Sequence, residues 1–124
     1  VLGYIVFRIA LIGGPVESFS CVAGTMVQEA FRSSAAIRTA CEASIMGNCA
    51  ALEGDIAQAI AQRGVRGGTA EGLARHVQVV IQGSFVVAKT QSGDSSAAVA
   101  REALMHLRRY FEMLFNADEK ETKQ

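Results

Sequence analysis

Residues 69–115 constrain this chain more than any other stretch. The segments TAEGLARHVQVVIQGSFVVAKTQSG and DSSAAVAREALMHLRRYFEMLF read as two long helices joined at Ser92-Gly93-Asp94. In the first, Leu73, Val77, Val80/Ile81, Ser84 and Ala88 make one stripe at helical spacing. His76, Val79, Gly83, Val86/Val87 and Thr90 make a second. In the other helix, Ala97, Leu104, Leu107, Phe111 and Leu114 are flanked by Val99, Ala103, His106, Tyr110 and Met113. A helix that is apolar on two sides needs two partners. One is its own domain, and the other is most simply a second copy of the chain. Gly83, in the second stripe, permits close helix approach. The predicted dimer face is therefore His76, Val79, Gly83, Val86 and Val87 with Val99, Ala103, His106, Tyr110 and Met113.

Everything upstream reads as helix too. Half the residues are hydrophobic, Ala is abundant and there is one Pro, a composition that favours helix over sheet. A first helix over Val1–Ile12, apolar but for Arg8, is expected to be buried all round, with Gly13-Gly14-Pro15 as its stop and a short loop to Phe19. A second spans Cys21–Arg32, capped by Ser20 or Ser18, with Val22, Met26, Val27 and Ala30 inward and Gly24 allowing close packing. A third spans Ser34–Arg63, with Ile37, Cys41, Ile45, Asn48, Leu52, Ile56 and Ala59/Ile60 on one face, and ends in Gly64-Val65-Arg66-Gly67-Gly68. A helix start capped by Thr69, a cap at Asp94 and a fraying tail from Asn116 complete the reading. The fold class is all-α, with five helices in one domain over residues 1–115 and a polar tail over 116–124.

Charge and motifs narrow the function. Formal net charge is +0, so these residues present no basic surface for nucleic acid. Leu2–Ile12 is too short to span a bilayer and lacks a basic leader. Three cysteines without CxxC spacing predict reduced thiols in a cytoplasmic protein. No HExxH, no phosphate loop and no nucleophile–base arrangement appears, so the chain reads as neither an enzyme nor a metal or cofactor binder. Cys21, near a helix N-terminus, is a possible thiol sensor for oxidants or electrophiles, set against a plain packing role. Cys41 and Cys49, eight apart, are too distant along one helix to share a metal.

An apolar chamber is the remaining functional expectation. Its predicted lining is Phe7, Met26, Phe31, Ile45, Met46, Cys49 and Phe85, with Tyr4, Thr25 or Asn48 as a polar contact.

Taken in order, the parts resemble the C-terminal effector-binding and dimerisation domain of the TetR family of transcriptional regulators. The resemblance covers nearly all of residues 1–115. It is carried by SCVAGTMVQEA, where Ser20 stands at a position often Gly, by LEGDIAQAIAQRGVRGG, by LARHVQVVIQGSFVVAKTQSGD and by LMHLRRYFEMLF. It implies that the last two helices pair with their copies in a four-helix dimer interface. It also implies a small-molecule effector in the upstream chamber, and DNA contact only through an N-terminal helix-turn-helix domain that this sequence does not contain. The start at Val1 rather than Met fits a chain whose beginning lies upstream. The competing expectation is a purely structural helical dimerisation module with no ligand.

Overall fold

The computed structural model describes residues 1–64 and 68–123, with side chains described through Asn116. Val65, Arg66 and Gly67, part of the expected glycine-rich stop, lie outside the described residues, as does Gln124. Among the described residues every regular element is a helix. They are α1 (Leu2–Ala10), α2 (Val16–Phe19), α3 (Val22–Ala30), α4 (Ala35–Arg63), α5 (Ala70–Ala88) and α6 (Asp94–Lys123).

Side-chain caps set three of the starts. Ser34 Oγ accepts the Ile37 N–H of α4 at 3.2 Å, and Thr69 Oγ1 accepts the Gly72 N–H of α5 at 3.0 Å. Each satisfies one of the backbone donors that a helix N-terminus leaves open. α3 is capped by neither Ser18 nor Ser20. Cys21 holds the N-cap position, and its Sγ accepts the Gly24 N–H at 3.4 Å. At the other end of α4, Gly64 takes φ 68°, the left-handed conformation that lets its N–H reach Ile60 O at 2.8 Å.

α5 lies at the centre. It packs most extensively on α6 and α4, while α3 rests on α4 and α1 on α6. The stripe Leu73, Val77, Ile81, Ser84 and Ala88 is buried, with Val80 half-buried, as its spacing predicts. From α6, Ala97, Leu104, Leu107 and Phe111 close on it, and Ile56 of α4 and Ile5 of α1 complete the most deeply buried set. Each large aliphatic side chain fully removed from water stabilises the fold by about 1.5–3 kcal/mol. The hairpin and α4 therefore supply most of the core.

The structure corrects the sequence reading at several points. α1 is not buried all round: Ile5 is its one fully buried residue, while Val6, Phe7 and Leu11 are exposed. Its single extensive contact is with α6, so its far side faces outward. The loop before Phe19 holds the extra turn α2, which buries Phe19 against Phe85 with ring centroids 6.0 Å apart. On α3 the inward residue is Gly24, while Val22 is 72% and Met26 is 42% exposed. A Cβ at Gly24 would meet the Gln82 carboxamide oxygen, with the Gln82 Cδ at 3.0 Å, so α3 comes up against α5 through its glycine. Asn48 is exposed and Cys49 takes the inward position on α4. α5 ends at Ala88, short of the expected junction at Ser92-Gly93-Asp94. Asp94 is the first residue of α6 rather than its cap, and α6 continues past Asn116 to Lys123.

Candidate functional site

Two features outside the filled core can carry function: the outer face of the α5/α6 hairpin, and a set of hollows around α3, α4 and α5.

The outer face follows from the second stripe. His76, Val79, Gly83, Val86 and Val87 of α5 are exposed, as are His106, Tyr110 and Met113 of α6, while Val99 and Ala103 are half-buried. Val79 is 66% and Met113 is 63% exposed. A Cβ at Gly83 would meet nothing within 4 Å, so the face has a shallow gap at its middle. The two helices are joined on this side by His76 and Tyr110, whose rings meet edge-on, and Tyr110 in turn meets Phe111 of the core. The flanking polar contacts are local, an Arg75–Glu71 ion pair at 3.5 Å and His106 beside Glu102 at 3.8 Å. Exposed i,i+4 pairs of this kind contribute a few tenths of a kcal/mol each.

The expected single chamber is divided. Ile45, Met46 and Cys49 line a hollow of about 250 Å³ between α4 and α5, with Gln78, Val79 and Gln82 opposite. Met26 lines a separate apolar groove of about 470 Å³ between α3 and α4, beside Val22, Ile37 and Cys41. Phe85 lines a third cavity, of about 260 Å³, with Arg8, Leu11, Ile12, Ser18, Phe19, Ser20 and Cys21. Phe7 and Phe31 are 59% and 46% exposed and border none of these three. The expected residues are spread over α1, α3, α4 and α5, and between α3 and α5 the Gln82 side chain reaches Gly24 and fills the space there.

The three expected polar contacts are placed differently as well. Tyr4 Oη accepts from Gln78 Nε2 at 3.3 Å, which ties α1 to α5. Thr25 Oγ1 donates to Cys21 O at 3.1 Å and accepts from Lys89 Nζ at 2.6 Å. Asn48 faces outward. Sequence reasoning missed Arg8, Gln78 and Gln82 as site residues. Arg8 had a signal, being the lone charge in an apolar run. The two glutamines had none, because each occupies a plain polar position in an amphipathic helix.

Cys49 Sγ donates to Ala74 O at 3.9 Å. Burial pushes its thiol above the ordinary thiol range; the Arg75 charge opposes this and the Glu53 charge adds to it. Cys21 is half-buried at the mouth of the third cavity. No group of three metal-ligating side chains occurs among the described residues, and no helix there is long and apolar enough to cross a membrane.

Compared with known proteins, the chain matches no family model, no curated protein and no solved structure.

Proposed function

We propose that this chain is the ligand-sensing and dimerisation domain of a TetR-like transcriptional regulator, pairing with a second copy through the outer face of α5 and α6. The observation that carries the reading is that face. An apolar stripe with a glycine gap runs along a hairpin whose opposite side already fills the core. Apolar side chains grouped on one face mark interaction surfaces, whereas single exposed ones are ordinary. A two-fold pairing would bury Val79, Val87, Tyr110 and Met113 against their copies and seat α5 closely at Gly83.

α5 links the two functions in this reading. Gln78, Gln82 and Phe85 border the hollows, His76, Gly83, Val86 and Val87 lie on the dimer face, and Val79 borders both. A small-molecule effector held at the inner side would shift the population of α5 positions, to the extent that it binds one arrangement better than the other. DNA contact belongs to an N-terminal domain outside this sequence, since residues 1–124 carry a net charge of +0.

Sedimentation equilibrium on the wild-type chain and on Gly83→Leu tests this. The account expects a wild-type dimer and a dissociation constant raised on the order of tenfold or more by the leucine, which occupies the gap. Folding of the monomer should not suffer, because leucine replaces glycine at an open helical position. An unchanged dimer constant would overturn the placement of the interface.

A further inference from the structure

The 260 Å³ cavity between α1, the α2–α3 junction and α5 gathers hydrogen-bond donors without an acid to answer them. Arg8 is the sole charged residue in Leu2–Ile12 and is half-buried. Its guanidinium carbon lies 6.0 Å from the Tyr4 ring centroid and 5.9 Å from that of Phe85. Cation–π attraction at this distance holds the guanidinium near the two rings without using its N–H donors. Among the described residues no carboxylate is within ion-pair reach of Arg8. Ser18, which is exposed, and Ser20, which is half-buried, line the same cavity, and among the described residues neither hydroxyl makes a hydrogen bond to the protein. Phe19 and Phe85, tilted against each other, supply an aromatic wall. One lip is pinned by Arg101, whose Nη2 donates to Ile12 O at 2.9 Å just past the end of α1.

We propose that this cavity binds a small organic carboxylate with an apolar body. The carboxylate accepts from the Arg8 guanidinium and the Ser18 and Ser20 hydroxyls, and the body lies against Phe19 and Phe85. An arginine fork suits a planar carboxylate, which it can engage through two parallel hydrogen bonds. At roughly 30 Å³ for each water molecule the volume equals that of about nine waters, which leaves room for a single substituted ring. The proposal deepens the ligand-sensing half of the reading above and rests on it for the consequence of binding, though not for binding itself.

The test is an NMR titration of the ¹⁵N-labelled chain with benzoate, benzamide and inorganic phosphate. Benzoate should shift the amides of Ser18, Ser20, Cys21 and Phe85 and reach saturation. Benzamide, which lacks the charge, and phosphate, which lacks the body, should each bind on the order of tenfold more weakly or not at all. Arg8→Met should remove benzoate binding. Ser20→Ala, at a position where no packing is lost, should weaken it several-fold and so guards against a misfolded arginine variant. Equal response to benzamide, saturation by phosphate alone, shifts confined to the α3/α4 groove, or no shift would each overturn the proposal. Oligomeric state is read in the same samples by diffusion. A monomer that binds benzoate upholds the cavity and sinks the dimer reading, and a dimer with a silent cavity does the reverse.

Discussion

His76 on α5 and Tyr110 on α6 meet edge-on, with ring centroids 5.4 Å apart and planes at 62°. Tyr110 makes a second edge contact with Phe111, also at 5.4 Å. The His76 contact joins α5 to α6 across the outer face, and Phe111, the next residue of α6, lies in the core. Aromatic pairs of this geometry contribute about 0.5–1.5 kcal/mol beyond the area they bury. Tyr110→Leu keeps an apolar residue there but loses both ring contacts, and should lower the urea midpoint by the equivalent of about 1–2 kcal/mol. A midpoint unchanged in a variant held monomeric by Gly83→Leu would show that the ring contacts carry no stability of their own.

Gly24 and Gln82 are coupled by space. A Cβ at Gly24 meets the far end of a flexible side chain, not backbone. Alanine at position 24 gains about 1 kcal/mol of helix propensity but forces Gln82 to swing away. Gly24→Ala alone should therefore change stability little. In a Gln82→Ala background the same change should stabilise by about 0.5–1 kcal/mol, and a double-mutant cycle reads the difference. Additive effects would show that the two residues do not contend for one volume.

Gly54 offers the opposite case. It lies in the interior of α4, exposed, with nothing within 4 Å of a built Cβ. Gly54→Ala should stabilise by about 0.5–1 kcal/mol and raise Tm by a few degrees. A lowered Tm in a calorimetric scan would contradict the open, helical setting of Gly54.

Cys49 sets a pH dependence. Burial, the largest cause, holds its folded thiol value above the ordinary 9.0. Below that value both the folded and unfolded chains carry a neutral thiol and the preference for the fold is complete. As pH rises past 9.0 the unfolded chain ionises first, and stability falls until the raised folded value is passed. Urea unfolding across this alkaline window should show a decline that is shallower in Cys49→Ala. Parallel declines in the two proteins would rule out this thiol as its source.

Much of the hairpin was legible in the sequence because long, strongly periodic helices announce themselves. Both stripes of α5 fall where their spacing puts them: Leu73, Val77 and Ile81 within the core, Val79 and Val87 outside it. The Thr69 cap is present as expected, and the third helix starts, as expected, at Ser34, which caps it. The short amino-terminal elements were less legible. An apolar run such as Val1–Ile12 shows that burial is favourable but not which neighbours are there to provide it, and α1 has an extensive partner on one side only. α2 is a single turn fixed by the burial of Phe19 on Phe85, a contact between residues distant in sequence. The candidate lining failed as a single chamber for the same reason. Ile45, Met46 and Cys49 share one helix and stay together, whereas Phe7, Met26 and Phe85 sit on three different helices and Phe31 caps the end of α3, so their placement depends on long-range packing.

The central claim is that two copies meet through the outer face of α5 and α6. Isotope-filtered NMR on a mixture of ¹³C-methyl-labelled and unlabelled chains tests it most directly. The account predicts intermolecular NOEs from the methyl groups of Val79, Val87 and Met113, lost in Gly83→Leu. A spectrum without intermolecular NOEs, or with NOEs only from Val6, Val22 or Met26 on the opposite elements, would contradict it.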